Sequence, residues 1–252
     1  MTSDPTPNLA NRENTHDNFL HSPQAPPMIT IIDYGIGNLR SIEKAFQHVG
    51  AEVLRTDRAD DLARADHLVL PGVGAFGACI DEVRRRNLEQ PILEAVARGI
   101  PFLGVCVGMQ MLFDVSEEMG LHQGLGILPG RVVRFKGVYE REAVAASAGE
   151  VEVETRPLKV PHMGWNTLAP RRASPLLDGI EPGAYCYFVH SYHAVPANPD
   201  DVLATTSYGL DFPAIVARNN VFGVQFHPEK SQHNGLRLLK NFALMNFDRR
   251  TG

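Results

Sequence analysis

The sequence predicts an α/β domain built on a mostly parallel, doubly wound sheet flanked by helices, with an additional antiparallel strand region in the second half. In the first half, apolar strand-like runs alternate with helical runs, which is the pattern of βαβ units. The second half is rich in strand-like runs and closes with a helix. The 252 residues, 44% hydrophobic and 21% charged, suffice for one such domain with a substantial core.

The predicted elements follow one another with short connections. Before residue 110 the strands are expected at 28–33, 51–55, 67–70 and 101–105, and the helices at 39–49 and 88–98. Gly99 is a suitable residue to end the second of these helices. Residues 109–113 have a helix-like composition. Later strands are expected at 131–135, 185–189, 202–206, 214–218 and 221–226, and a helix at 235–247, which carries apolar residues at helical spacing.

The first 27 residues differ from the rest of the chain. They contain five prolines and few large apolar side chains, so we expect a disordered tail. They lack the apolar core of a signal peptide and the arginine richness of a transit peptide. One domain is therefore predicted over residues 28–250.

Composition excludes several classes of function. A net charge of −5 argues against nucleic acid as the main partner. No apolar run approaches the roughly 18 residues of a membrane-spanning helix. Three cysteines, without zinc or CxxC spacing, fit a reducing compartment and hence the cytoplasm. No metal site is expected, because a strand would direct His190 and His193 to opposite faces.

Cys106 is the best candidate for a nucleophile. It follows an apolar strand-like run and lies between Gly104 and Gly108, which is the pattern of a nucleophile elbow. The glycines are needed because the chain must bring backbone close to backbone, which a Cβ would block. We expect the turn to push the side chain into solvent and the following helix N-terminus to favour the thiolate. A buried, inert cysteine is the alternative, and it describes Cys79 and Cys186.

A base for this nucleophile is predicted near the C-terminus. The strand-like run 221–226 ends in His227-Pro-Glu229, and Pro228 favours an extended His227. Residues two apart on an extended chain point to one side. Glu229 is therefore expected to orient His227, as in a catalytic triad.

An oxyanion hole is predicted from backbone N–H groups. The strand at 67–70 runs into the glycine-rich segment 71–77, which exposes backbone donors. Donors from Gly72 or Val73, together with Val107 after the nucleophile, could stabilise an oxyanion. A plain turn between strand and helix is the alternative.

Residues 35–40 begin like a dinucleotide-binding loop, but Arg40 stands where the third glycine would be, so no cofactor is expected.

Together these motifs resemble class I (triad) glutamine amidotransferases over roughly residues 28 to 246. The runs that carry the resemblance are Asp33-Tyr-Gly-Ile-Gly-Asn-Leu-Arg40, Leu70-Pro-Gly-Val-Gly-Ala-Phe76, Gly104-Val-Cys-Val-Gly-Met-Gln110, Pro161-His-Met-Gly-Trp-Asn166, Tyr187-Phe-Val-His-Ser-Tyr192 and Gln225-Phe-His-Pro-Glu-Lys-Ser231. The first, fourth and last point to the members that serve histidine biosynthesis. Such proteins usually have a shorter connection where this chain has the polar residues 137–159, so a surface insertion is expected there.

The resemblance implies glutamine hydrolysis through a cysteine thioester, without a cofactor. The implied glutamine-binding residues are Gln110, Glu118, His190, Ser191 and Tyr192. The implied partner is a (β/α)₈-barrel cyclase that uses the ammonia to make imidazole glycerol phosphate and aminoimidazole carboxamide ribotide. Asn38, Tyr187 and Lys230 are expected near that partner.

Two other classes of function stay open on the residues alone. A stand-alone cysteine hydrolase, such as a γ-glutamyl peptidase or thioesterase, would use the same triad. The 161–166 and 228–231 runs argue against it. A non-catalytic binding module could keep the fold, but it would have no need of all three triad residues.

Overall fold

The computed structural model describes residues 28–144 and 151–245. The strands are β1 Met28–Ile32, β2 Glu52–Thr56, β3 His67–Gly72, β4 Phe102–Cys106, β5 Phe113–Ser116, β6 His122–Gln123, β7 Leu128–Arg134, β8 Val138–Val144, β9 Val151–Pro157, β10 His162–Thr167, β11 Ala169–Pro170, β12 Tyr185–His190, β13 Tyr192–Pro196, β14 Val202–Ser207, β15 Asp211–Arg218 and β16 Val221–Val224. The helices are α1 Leu39–His48, α2 Ala59–Arg64, α3 Phe76–Arg85, α4 Glu89–Ala97, α5 Val107–Gln110 and α6 Gln232–Leu244. The predicted tail 1–27 and residues 246–250 of the predicted domain lie outside the described residues.

An eight-stranded mixed sheet forms the centre of the molecule. Its strand order is β11-β14-β15-β16-β4-β3-β1-β2. The five strands from β16 to β2 are parallel, and β11, β14 and β15 extend the sheet in antiparallel fashion. The predicted α/β fold, with antiparallel strands in the second half, is therefore confirmed.

The register of the central strands brings three chain segments to one edge of the sheet. Val105 of β4 pairs with Pro71 of β3 and with Val224 of β16, and Cys106 pairs with Gly72. The carboxyl ends of β3, β4 and β16 are thus adjacent, where open α/β sheets form their binding crevices. The segments that follow these strands carry the glycine-rich loop, the elbow and the His-Pro-Glu run.

Three smaller sheets lie outside the large one in the part of the chain that the structure describes. One has the order β13-β7-β5-β6, and β10 pairs with β12 in antiparallel register. β8 and β9 form a separate two-stranded antiparallel pair within the predicted insertion 137–159. That 137–159 is an insertion stays a prediction.

The local structure differs from the predicted elements in several places. The helical run expected at 109–113 is the single turn α5, and Phe113 begins β5 because it pairs with Leu128 of β7. The structure has two further helices, α2 and α3, which the pattern analysis did not predict. α3 buries Phe76, Cys79, Ile80 and Val83 at helical spacing. The glycine-rich segment 71–77 is predicted to be a loop, whereas the helix already begins at Phe76.

The core lies between the large sheet and its helices. β1, β3 and β4 are buried along nearly their whole length, as expected of central parallel strands. From α6, the Phe242 ring packs against Phe46 and Phe222, with centroid distances of 6.4 and 6.3 Å. Within the described ranges, no helix has the length and apolarity to cross a membrane.

Candidate active site

Cys106 occupies a strained turn between β4 and α5. Its φ of 55° and ψ of −111° lie where residues with a Cβ are uncommon, at a cost of about 1–3 kcal/mol. A Cβ on Gly108 would lie 1.8 Å from the Leu70 carbonyl oxygen, and one on Gly104 would lie 2.6 Å from the Gly108 carbonyl oxygen. Both flanking glycines are therefore required by close backbone contact, as the elbow prediction proposed.

The expectation of a solvent-exposed thiol is wrong. Cys106 is only 4% exposed and lines a cavity of about 300 Å³. The walls of this cavity come from the loop after β3, the β12–β13 connection and the 3₁₀ turn after β16, and they cover the elbow. α5 has only one turn, so it offers much less helix dipole to the sulfur than the sequence suggested.

His227 and Glu229 form a buried pair. Nδ1 of His227 lies 2.9 Å from Oε1 of Glu229, and the two side chains are 4% and 3% exposed. The predicted contact between the two side chains is present, but the prediction that the chain is extended from His227 to Glu229 is wrong. His227 itself is extended, whereas Pro228–Lys230 form a 3₁₀ turn that folds Glu229 back toward the ring. The His227 backbone is fixed by N–H donation to the Tyr187 carbonyl oxygen at 2.9 Å.

The charged imidazolium of His227 is favoured. Burial by itself would lower the pKa of His227, but hydrogen bonds to Cys106 and Glu229, and the negative charges of both, raise it to about 10. Because Nδ1 faces Glu229, the other ring nitrogen, Nε2, is left for Cys106. The arrangement suits a thiolate–imidazolium pair, which is the nucleophilic form of a cysteine.

The other two cysteines lie in different surroundings. Burial raises the pKa of the Cys79 thiol, and it raises that of Cys186 to about 12. Both side chains are essentially inaccessible to solvent. Neither environment favours a reactive thiolate.

Two of the three predicted oxyanion donors line the same cavity as the sulfur, and the third, Gly72, does not. Val73 and Val107 line the cavity with Cys106. Gly72 lies within β3, where a Cβ would be 2.8 Å from the Gly108 nitrogen. Side chains behind the loop hold its carbonyls: Tyr34 Oη donates to the Pro71 oxygen at 2.8 Å, and Cys79 Sγ donates to the Val73 oxygen at 3.4 Å.

The residues expected to bind substrate surround the same cavity. Gln110, Glu118, His190, Ser191 and Tyr192 all line it. Gln110 Nε2 donates to the Tyr192 carbonyl oxygen at 3.0 Å and to Gln225 Oε1 at 3.1 Å. Glu118 Oε2 accepts from the Phe76 backbone N–H at 2.6 Å, at the start of α3.

A model of the class I glutamine amidotransferase family matches residues 30–246. The chain belongs to this family. The imidazole glycerol phosphate synthase subunit HisH of Salinibacter ruber is 62% identical to it over 218 residues, covering 86% of this chain and 94% of the relative. The subunit of the same name from Syntrophotalea carbinolica is 52% identical, with 86% and 100% covered.

Solved structures share the fold of this amidotransferase. PurLQS from Thermotoga maritima superposes with a TM-score of 0.63 at 19% identity, over 86% of this chain and 98% of that one. A crystal structure described as a glutamine amidotransferase gives 0.62 at 18% identity, over 85% and 98%. At such identities the likeness concerns the fold alone.

Two of the three residues expected near a partner contact each other at the cavity mouth. Nζ of Lys230 lies 5.8 Å from the centre of the Tyr187 ring, and Lys230 also lines the cavity. The Tyr187 ring meets Trp165 edge-on at 5.9 Å. Asn38 precedes α1, and its side chain makes no capping hydrogen bond to that helix.

The histidines discussed as metal ligands are arranged differently from the prediction. His190 ends β12 and His193 lies in β13, with a bend at Ser191 between them. Both rings pack on Phe135 and Phe212, so they share one aromatic cluster and do not point to opposite faces. Burial lowers the pKa of His190 to about 3. In the part of the chain that the structure describes, no group of three or more His, Cys, Asp or Glu is placed to hold a metal.

Gln225 is a residue of the site that sequence reasoning did not single out. It is fully buried, and its Nε2 lies 3.8 Å from Cys106 Sγ. The signal in the sequence was a polar amide in an otherwise apolar run, two residues before His227.

A larger cavity, of about 540 Å³, is lined by residues such as Arg172, Asn219 and Asn241 and by none of the triad residues.

Proposed function

We propose that this chain is the glutaminase subunit of an imidazole glycerol phosphate synthase. It hydrolyses glutamine to glutamate and ammonia, and it delivers the ammonia to a cyclase subunit in histidine biosynthesis. The observation that carries the proposal is the buried Cys106, His227 and Glu229 set beside a substrate-sized cavity, in a chain 62% identical to a subunit of that name.

In the first half of the reaction, the Cys106 thiolate attacks the carbon of the glutamine carboxamide. The C–S bond forms, and the carbonyl electron pair moves to oxygen, giving a tetrahedral oxyanion. His227, protonated at Nε2, donates that proton to the amide nitrogen. The C–N bond then breaks, and ammonia leaves with a γ-glutamyl thioester remaining on Cys106.

In the second half, water cleaves the thioester. Neutral His227 accepts a proton from the attacking water, and the tetrahedral intermediate expels the Cys106 thiolate and leaves a γ-carboxylic acid. This acid gives its remaining proton to solvent and becomes glutamate. Glu229 keeps Nδ1 of His227 hydrogen-bonded in both halves, so Nε2 is the nitrogen that exchanges protons. The cycle ends with the thiolate–imidazolium pair with which it began.

Oxyanion stabilisation comes from the Val107 N–H and from the N–H of Gly72, at the end of β3, or of Val73, in the loop that follows. Two such donors need to lie about 2.7–3.1 Å from the developing oxyanion. The elbow fixes Val107, whereas the loop donor belongs to a glycine-flanked segment in which Gly74 has a φ of +90°. Rotation of a loop peptide on partner binding would make hydrolysis dependent on the partner.

The remaining cavity residues select glutamine. Both hydrogens of Gln110 Nε2 are used within the protein, so its carbonyl oxygen is the group it can offer to the substrate. The carboxylate of Glu118 suits the α-amino group of glutamine. Backbone groups of His190, Ser191 and Tyr192 complete the pocket.

The cyclase is proposed to dock over the β10–β12 pair. Its outer face exposes large apolar side chains, Met163, Trp165 and Tyr185, beside the cavity-lining Lys230. An exposed apolar patch of this kind at the mouth of a site is typical of a protein interface. The partner is a (β/α)₈-barrel enzyme, and a cover over the mouth would keep ammonia from solvent. The three free cysteines fit a cytoplasmic location.

The test is steady-state glutaminase activity of the subunit alone, with the cyclase, and with the cyclase plus its ribulosyl nucleotide. We expect a rise in kcat across these states and formation of imidazole glycerol phosphate only when both subunits are present. Cys106→Ser is the matched control. Equal glutamine turnover in all three states, without complex formation, would favour the stand-alone hydrolase over the synthase subunit.

A further inference from the structure

A buried chain of amides links the wall of the cavity to the nucleophile. Gln225 is 0% exposed, and it lies between Gln110 and Cys106. Its Oε1 is 3.1 Å from Gln110 Nε2, and its Nε2 is 3.8 Å from Cys106 Sγ. Few polar side chains are so completely buried without a reason in hydrogen bonding, since desolvation of an amide is costly.

The backbone carbonyl of Tyr192 determines the orientation of the Gln110 and Gln225 amides. The Tyr192 oxygen can only accept, so the Gln110 atom 3.0 Å from it must be the nitrogen. The same nitrogen lies next to Gln225, so Gln225 must present its oxygen there. The Gln225 nitrogen is thereby left to face the sulfur of Cys106.

A second donor to the Tyr192 carbonyl oxygen supports this orientation of the two amides. His190 Nδ1 lies 2.8 Å from the same Tyr192 oxygen, which has two lone pairs and accepts from both side chains. The carbonyl thus acts as a fixed acceptor at the far end of the chain. Reversing the Gln225 amide would set two nitrogens against each other at Gln110.

We propose that Gln225 is a further catalytic residue, whose side-chain N–H donates to the Cys106 sulfur and stabilises the thiolate. Gln110 is the positioning residue that keeps the Gln225 amide in this orientation. A donor to sulfur favours the anion over the thiol, because hydrogen bonds to a charged acceptor are the stronger ones. An amide cannot remove the thiol proton, so that task stays with His227.

Other ionisable groups face Cys106 and must stay unchanged in a test. They are His227 and Lys230 from the segment after β16, His190 from β12 and Glu118 after β5, with Tyr34 and Cys79 behind the loop that follows β3. Substitution of Gln225 alters none of them. A change in the titration of Cys106 can therefore be assigned to the lost or altered amide.

The experiment measures the alkylation rate of Cys106 by iodoacetamide against pH, in a Cys79→Ser, Cys186→Ser background. We expect Gln225→Leu to raise the midpoint of the rate profile by about one to two pH units. Gln225→Glu should raise it at least as far, since a carboxylate repels the thiolate. Gln110→Leu should move it in the same direction by less. The control, Gln123→Leu on the exposed face of β6, should leave it in place.

If Gln225→Leu does not fold, as judged by thermal unfolding, Gln225→Met replaces it with the same expected rise, because methionine keeps the length of the side chain but lacks the N–H donor. An unchanged midpoint in a folded Gln225 variant overturns the inference. The effect on turnover, a lower kcat with little change in KM, rests on the proposed function, whereas alkylation does not. Absence of glutaminase activity in the unmodified complex would overturn the proposed function and leave the alkylation result interpretable.

Discussion

Nδ1 of His227 lies 2.9 Å from Oε1 of Glu229, two residues along the chain, in the 3₁₀ turn that begins directly after His227. The contact settles which imidazole nitrogen is available for chemistry, because Nδ1 is occupied and Nε2 remains for Cys106. Within the described residues, the second carboxylate oxygen, Oε2, is buried without a hydrogen-bond partner. The carboxylate is thus committed to one neighbour, which makes the pair a sensitive point for substitution.

Cys106 is predicted to be the one catalytic thiol. Cys106→Ser should lower glutamine turnover by at least about 1000-fold, because a serine hydroxyl is not ionised in this setting. Cys79→Ser and Cys186→Ser should retain most activity, since both thiols are buried and serine can still donate a hydrogen bond. Peptide mapping after labelling with a glutamine-analogue electrophile checks this. An adduct on Cys79 or Cys186, with Cys106 unmodified, would contradict the assignment.

Glu229→Gln is expected to lower kcat by roughly 100- to 10,000-fold with less change in KM. A neutral amide can hold the ring, but it neither fixes the same tautomer nor stabilises the imidazolium. Steady-state kinetics of the complex with cyclase measures the effect. Glu52→Gln, at an exposed position on the edge strand β2, is the control. Near-normal kcat in Glu229→Gln would remove the carboxylate from the mechanism.

The raised pKa of His227 predicts a pH dependence of stability. Its value in the folded protein, about 10, is above the 6.5 of an unperturbed histidine. The stabilisation from its charge is therefore fully present below about pH 6.5 and is lost as pH rises toward about 10. Urea unfolding across this range should show the decline, and it should be smaller in Glu229→Gln. An equal decline in both proteins would argue against this origin.

Gly108→Ala is expected to destabilise the fold by at least about 2 kcal/mol, because its Cβ would lie 1.8 Å from the Leu70 carbonyl oxygen. Gly50→Ala is the matched control. Its φ of +90° is strained for alanine, but the space around it is open, so about 1 kcal/mol is expected. Denaturant unfolding measures both. Equal losses would mean that β4 and α5 can move apart at little cost.

Removal of residues 1–27 is predicted to leave folding and turnover unchanged. Their composition offers little apolar surface to bury, and β1 begins at Met28. Thermal unfolding and glutaminase kinetics of the shortened chain check this. A lower unfolding temperature would show that the segment packs on the domain.

The sequence by itself determined the features that depend on neighbours along the chain. The alternation of apolar strands and helices predicts the α/β sheet, since each pattern has its own period. The elbow at Cys106 follows from two glycines within two residues of the thiol. The His227–Glu229 pair follows from their separation of two residues, even though a turn rather than a strand brings them together.

Only the tertiary structure decided the contacts between segments that lie far apart in the sequence. The burial of Cys106 depends on cavity walls that lie far away in sequence. His190 and His193 share a cluster because the chain bends at Ser191. Gln110 and Gln225 are 115 residues apart, and their hydrogen bond exists because β4 and β16 are adjacent strands that end at the same edge of the sheet. Local sequence patterns do not predict such contacts, because the pairing of strands depends on the packing of the whole domain.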